Sequence, residues 1–459
     1  MAHSKPSSNP AAHVESFLQQ RVTPGQHLVL GLSGGMDSVV LLDMLCGLRA
    51  TLGIELSALH VNHQISANAA GWARFCRNLC SARAVPLRVA KVNIASSAPE
   101  GLEAAARSAR YAAYSSLKTH YMILAHHLDD QAETFMLQLL RGAGSKGLSS
   151  MPTARVETNG KCYLRPLLGV ARSDLVAYAL QRGLHWIEDE SNADIARDRN
   201  FLRHRVLPLL QARFPAYRAT LARSAAHQAE AQGLLDELAQ LDADIVDGRF
   251  NLSALQNLSA ARARNALRFY FSRLGVALPS TARLEEILRQ VLGAQSGARP
   301  RIRLGNLEVR RFQNQLYLCP LPEDTPPLCL PWRGERRMAI AELGGVLSFR
   351  NARGEGINPQ TLNAEPVTIR TRRGGERLQP DCRRPRRSLK NLLQESRIAP
   401  WQRYRLPLLY CGETLVYVPG IGVDCAYHTA AGEKGLVVEW KSRIEGRTPF
   451  PNGLLPSGR

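Results

Sequence analysis

Over the first 210 residues, short apolar runs alternate with stretches of helical periodicity. His27–Leu32, Ile54–Asn62, Leu87–Ile94 and Tyr121–His126 read as buried strands. Asp37–Leu48, Ala67–Ala82, Glu103–His120 and Asp129–Leu140 carry apolar positions three and four residues apart and read as helices. This rhythm predicts an α/β fold, a parallel sheet covered by helices on both faces. In such sheets ligands bind past the carboxyl ends of the strands, so the residues just after each strand bear the chemistry. From about 200 to 295 the pattern turns helical. Residues 301–319 alternate as a hairpin, a Pro-rich stretch follows, and the remainder is strand-rich around one basic helix near Leu389–Ser396. The expected organisation is a flexible extension (1–24), the α/β domain (25–215), a mainly helical domain (216–320), a linker (321–339), a small strand-rich α+β domain (340–443) and a disordered tail (444–459).

Composition narrows the class. The chain has 459 residues, 45% hydrophobic and 21% charged, which suits a multidomain globular protein. No apolar run is long enough to span a bilayer, and the N-terminus lacks an apolar signal core. The expected compartment is the cytoplasm. The nine cysteines include no Cys-x-x-Cys pair, so reduced thiols are expected rather than a zinc site or a disulfide. Net charge is +20, which favours a polyanionic partner. Residues 370–405 hold twelve Lys/Arg against three acids, broken by Pro and Gly with no long amphipathic helix, so nucleic acid is preferred to membrane.

The most specific string is Gly31-Leu32-Ser33-Gly34-Gly35-Met36-Asp37-Ser38, between a strand and a helix. Small residues let the backbone approach a polyanion, and the helix N-terminus offers unpaired N–H groups. Asp37 beside phosphates makes sense when Mg²⁺ bridges them. The bland alternative is a capped Gly-rich turn. It is not a Walker A loop, because the Gly-Lys-Ser/Thr ending is missing. Ala125-His126-His127-Leu128-Asp129-Asp130-Gln131-Ala132-Glu133-Thr134 leaves the fourth strand and puts Asp130 and Glu133 on one helix face. That pair suits an amine or a cation, against the alternative of a helix cap plus a solvated Glu. A His-His-Asp-Asp metallohydrolase is a rival that leaves the glycine loop unused. Arg107, Arg110 and Tyr111 lie close together on a helix, and Arg199, Arg203 and Arg205 close the first domain. These arginines bind anions or form solvated faces.

The glycine loop resembles the PP-loop of the N-type ATP pyrophosphatases, which implies adenylation with release of pyrophosphate. Together with Arg141-Gly142-Ala143-Gly144-Ser145-Lys146-Gly147, Leu389-Lys390-Asn391-Leu392-Leu393 and Ile398-Ala399-Pro400-Trp401-Gln402-Arg403, the strings resemble the tRNA(Ile)-lysidine synthetase family over roughly residues 25–425. The resemblance implies an enzyme that adenylates the wobble cytidine of an isoleucine tRNA (CAU anticodon) and joins free lysine to it. ATP would lie on Ser33, Gly34, Gly35, Met36, Asp37 and Ser38, with Mg²⁺ on Asp37. Asp130 and Glu133 would hold lysine or help deprotonate it. Arg107, Arg110 and Arg205 would serve the α-phosphate or the RNA. Arg203, Arg383, Arg384, Arg386, Arg387 and Lys390 would contact tRNA, and His126 and His127 would orient groups or pack the strand end. No membrane partner is expected, and a homodimer stays open. Alternative readings are a PP-loop tRNA thiolase, a small-molecule amide synthetase and a non-catalytic RNA-binding protein.

Overall fold

Strand β1 (His27–Gly31) buries Leu28, Val29 and Leu30 in succession, because both faces of the sheet that it centres are covered. In the computed structural model, the described residues are 9–66, 68–94, 102–157, 160–246, 248–294, 298, 300–321 and 327–442. The expected tail at 444–459 lies outside them. The chain divides into two compact units, Met1–Leu235 and Asp236–Arg459.

The first unit begins with helix α1 (Pro10–Gln19), followed by β1 and α2 (Met36–Leu52). Next come β2 (Glu55–Asn62), α3 (Ala69–Ser81), β3 (Leu87–Lys91), α4 (Leu102–Ser115), β4 (Tyr121–Ile123) and α5 (Leu128–Leu140). A short α6 (Ser145–Leu148), β5 (Ala154–Val156), β6 (Cys162–Leu164) and α7 (Arg172–Gln181) complete the sheet and its cover. Strand order is β3-β2-β1-β4-β6-β5, parallel except for the edge strand β5. Successive crossovers run from β1 outward to β3, and then the chain returns to the other side of β1 as β4. The order therefore reverses between β1 and β4, and the crevice at that point is where α/β sheets bind ligands. Leu28, Leu30, Leu41 and Leu45 fill one face, and Val29, Leu59, Met122 and Tyr163 fill the other. The N-terminus departs from the expected flexible extension. Val14 and Leu18 are fully buried in the first of these cores, so α1 is part of the domain.

After α7 the chain forms α8 (Asp198–Phe201), a π-helical turn at Leu202–Val206, α9 (Leu207–Arg213) and α10 (Tyr217–Asp242). Pro208 has no N–H to return to the His204 carbonyl, and the ladder widens here so that Leu207 N–H reaches Leu202 O.

In the second unit, helices Ala260–Arg273 and Thr281–Leu292 pack through Leu267, Phe271 and Ile287 onto a five-stranded sheet. Residues 301–319 supply three of its strands, one more than a hairpin, because Gly305 turns the chain at positive φ (60°) between Leu304 and Leu307. A five-stranded and a three-stranded sheet follow, sharing a core of Leu347, Ile369, Leu409 and Val416. Cys329–Pro331 and Arg337–Ile340, assigned to the linker by composition, are edge strands of these sheets. The basic helix is Leu389–Glu395.

Candidate active site

The loop after β1 is held by its own hydroxyls. Ser38 Oγ donates to Gly35 O (2.9 Å) and accepts from Gly34 N–H (3.2 Å), and Ser33 Oγ accepts from Gly35 N–H (3.2 Å). His60, buried on β2, makes a hydrogen bond to Leu32 O at 2.9 Å and fixes where the loop starts. Gly34 has φ +91°, and a Cβ there would come within 2.6 Å of the Ile187 side chain, so the position needs glycine. Asp37 sits in the first turn of α2 with the dipole's positive end.

The wall opposite is the start of α5. His127 is its N-cap: Nδ1 accepts from Asp130 N–H, while His127 N–H donates to Asp130 Oδ2 (3.1 Å). His127 Nε2 lies 3.6 Å from Asp37 Oδ2 and 3.4 Å from Asp130 Oδ2, and so ties the two carboxylates together. Burial works to lower the His127 pKa, but the hydrogen bond to Asp37 and the charges of Asp130, Asp37 and Asp129 outweigh it and the pKa is raised. For Asp130, burial works to raise the pKa, and His127, Arg199 and His126 bring it below the ordinary value.

Two arginines from α8 and the π-helical turn close on this face. Arg199 Nε and Arg203 Nε each donate to Glu133 at 2.7 Å, and Arg203 Nη2 adds a third bond at 2.9 Å. Arg199 also reaches Asp130 Oδ1 at 3.1 Å. The Glu133 side chain is 2% exposed and holds three guanidinium bonds, whereas Asp130, with one guanidinium bond on Oδ1 and the His127 N–H on Oδ2, keeps 14% exposure. The geometry therefore gives Glu133 to the two guanidiniums rather than leaving it open to a substrate ammonium. Arg203, expected from the sequence as an RNA contact, is part of this clamp.

A buried polar atom without a partner calls for an explanation, and a bound ligand is one. Among the described residues there are five: Asp37 Oδ1, His63 Nδ1, His126 Nδ1, Arg165 Nε and Thr429 Oγ1. The first four belong to residues just past the carboxyl ends of β1, β2, β4 and β6, the edge where the strand order reverses. Burial pushes both His63 and His126 down to about 4, so both rings are neutral at pH 7. Arg107 and Arg165 are close enough to His126 to add to its depression, and Arg110 Nε lies 3.4 Å from His63 Nε2. Arg107 also packs over the Tyr111 ring, 5.1 Å from its centroid. Arg205 is exposed on the π-helical turn. Arg165 escaped the sequence reading because the three-residue strand β6 carried no recognisable run. Its place directly after a strand was the only signal.

Among the described residues no group of three or more His, Cys, Asp or Glu could hold a metal unaided. One carboxylate with an unpartnered buried oxygen, Asp37, fits an ion whose other ligands are phosphate oxygens and water.

The basic segment is less free than its charge count suggests. Arg386 donates to the fully buried Asp424, Arg387 pairs with Glu395, Arg370 with Glu413 and Arg372 with Glu376, while Arg403 is buried against Ile398 O. Arg383, Arg384 and Lys390 remain on the surface. The expectation of free thiols is corrected for one pair. Cys382 and Cys425, 43 residues apart, form a disulfide that fastens the arginine loop to the turn at Cys425–Tyr427. Linear spacing carries no sign of it, because the approach is made by Cys425 N–H donating to Gln379 O and Gln379 N–H donating to Asp424 Oδ2.

Fold and site together define a PP-loop nucleotide-binding protein. A PP-loop domain model matches residues 6–210, a TilS substrate binding domain model matches 250–317 and a TilS substrate C-terminal domain model matches 367–440. The tRNA(Ile)-lysidine synthase of Nitrosomonas europaea is 47% identical over 96% of this chain and 98% of its own, and that of Azoarcus sp. is 41% identical over 91% and 92%. The chain belongs to the tRNA(Ile)-lysidine synthase family. A U34-tRNA thiolase from Methanococcus maripaludis covers 48% of this chain and 78% of its own at 16% identity, with a TM-score of 0.41, too slight a likeness to carry an argument. Among the described residues no helix is long and apolar enough to cross a membrane.

Proposed function

We propose that this chain ligates free lysine to position 2 of the wobble cytidine of an isoleucine tRNA, with consumption of ATP. The observation that carries the catalytic reading is the ring of unpartnered polar atoms on Asp37, His63, His126 and Arg165 around the strand-order reversal, beside the Ser33–Ser38 loop. In the first step the cytosine O2 attacks the α-phosphate and pyrophosphate leaves. The loop N–H groups and the Ser33 and Ser38 hydroxyls take the pyrophosphate oxygens, and Asp37 would hold Mg²⁺, which supplies charge neutralisation there. Arg107 and Arg165, beside the neutral His126, face the charge that develops on the α-phosphate. In the second step the lysine ε-amine attacks the activated ring carbon and AMP departs with the former O2.

Lysine must arrive correctly oriented and lose a proton, because an ammonium with a pKa of about 10.4 is no nucleophile. Asp130 is held ionised and keeps some exposure, so it orients the ammonium, whose proton passes by way of this carboxylate to solvent before the free amine attacks. Arg199 and Arg203, locked by Glu133, present guanidinium edges to the lysine carboxylate. Glu133 then acts as a positioning residue. Arg383, Arg384 and Lys390 supply tRNA phosphate contacts. The test is incubation with radiolabelled lysine, ATP and bacterial tRNA, followed by nucleoside analysis. Label in a modified cytidine, together with AMP and pyrophosphate, supports the proposal. ATP turnover without label in tRNA, or a sulfur-bearing nucleoside, refutes it.

A further inference from the structure

The second unit contains an open cavity of about 770 Å³ that the lysine-transfer reading does not use. Arg249, Gln313, Gln315, Tyr317, Arg397 and Gln402 line it, and no Asp or Glu does. One wall is the five-stranded sheet, and the other is the segment that leaves the basic helix Leu389–Glu395. Two of its lining residues, Gln313 (φ 47°) and Arg397 (φ 56°), adopt left-handed backbone conformations without being glycine. Gln313 is in the two-residue turn between Phe312 and Gln315, and Arg397 follows the cap of the basic helix, positions where hairpin turns and helix ends take this conformation.

Tyr317 on the wall is backed by two further aromatic rings. Trp401 meets Tyr317 edge-on at 5.2 Å and Phe312 at 5.9 Å, and Arg310 covers Trp401 at 5.1 Å. Arg249 lies over the Tyr317 ring at 5.3 Å. Among the described residues Arg249 and Arg397 have no carboxylate partner, and the Arg249 guanidinium is also planar enough to stack. The amides of Gln313, Gln315 (which accepts from Tyr317 O–H) and Gln402 (which accepts from Ala399 N–H) lie beside them. Together they match the phosphate, base face and base edge of one nucleotide. A duplex, whose bases are stacked inward, cannot offer these to a cavity.

We propose that this cavity receives a single unpaired nucleotide of the tRNA. Arg249 and Arg397 hold its phosphate and stack its base, and Gln313 and Gln315 contact the base edge. The proposal rests on the tRNA reading above and adds a site for a nucleotide other than the one that reacts. Such a site lets the enzyme distinguish folded tRNA from plain helical RNA, which surface arginines alone do not do.

The experiment compares the full chain with the Gln313→Ala/Arg397→Gln variant, both positions being on loops. Binding is measured to tRNA and to a blunt RNA duplex of similar length at fixed salt. The expected result is about a tenfold loss of tRNA affinity, the scale of one stacked base, with duplex binding changed about twofold or less. Melting curves and ATP binding measured without tRNA should match the wild type. Equal losses for both RNAs would reduce the two residues to general charge, and unchanged tRNA binding would remove the site; either overturns the proposal. AMP bound in equilibrium dialysis at a site lost in the variant, with tRNA affinity intact, would assign the cavity to a free nucleotide and also overturn it. Wild-type protein that fails to bind tRNA at all would refute the underlying reading and the proposal with it. Normal wild-type binding with an unaffected variant refutes the cavity alone.

Discussion

Replacing Glu133 by Ala should separate stability from substrate recognition. The carboxylate is 2% exposed and accepts three hydrogen bonds of 2.7, 2.7 and 2.9 Å from Arg199 and Arg203. Removing one partner of a buried ion pair costs about 3–5 kcal/mol. The guanidiniums are 29% and 32% exposed, and Arg199 keeps Asp130, so the low end applies, about 3 kcal/mol. At about 2–4 °C per kcal/mol for a unit of this size, the melting temperature of the first unit should fall by about 6–12 °C. The same change frees Arg199 and Arg203 from the geometry proposed to meet the lysine carboxylate. The KM for lysine should therefore rise more than that for ATP, measured by label incorporation well below the melting range. A Glu133→Ala/Arg203→Met chain should recover much of the stability, since one unpaired cation is gone, but not the lysine KM. If Glu133→Ala melts with the wild type and binds lysine normally, the clamp has no role. If only the ATP KM moves, the acidic pair belongs to the nucleotide or its metal.

Three further outcomes are expected. Asp37→Asn should lower lysine incorporation by about a hundredfold or more through lost charge stabilisation at the pyrophosphate, with melting unchanged; near-wild-type turnover at saturating Mg²⁺ would refute the role of Asp37. Burial holds His126 neutral down to about pH 4 whereas an unfolded histidine takes its proton near 6.5, so unfolding binds a proton between these values and stability is lost as pH falls from about 6.5 towards 4. His126→Gln should flatten that acid limb in melting curves, with His63 keeping its own share, and an unaltered limb would refute the assignment. Arg383→Gln/Arg384→Gln/Lys390→Gln should weaken tRNA binding and lower the salt slope by about 0.7–0.9 per lost phosphate contact, leaving ATP binding intact. An unchanged slope in filter binding would leave these residues as mere solubilising charge. Arg386 is excluded from that set because its loss would strand the buried Asp424.

Much of the catalytic unit was legible in the chain because its signals are local. Apolar runs of strand length, helical periodicity and a glycine loop between them set β1 to β4 and α2 to α5 within a few residues. The rule that ligands sit past strand ends draws attention to Asp37, His126 and Asp130. Where the signal was short or distant, tertiary structure decided. Strand β6 has three residues and shows no periodicity, so Arg165 appeared only once β6 had paired with β4. Glu133 reads as a free acid because its partners stand 66 and 70 residues later, and the burial that makes their pairing decisive does not exist in the unfolded chain. Charge counts add up formal cations, but the fold spends Arg370, Arg372, Arg386, Arg387 and Arg403 on internal partners and leaves a smaller exposed set. The bridge between Cys382 and Cys425 has the same origin: a contact across 43 residues exists only when the sheet between them has closed.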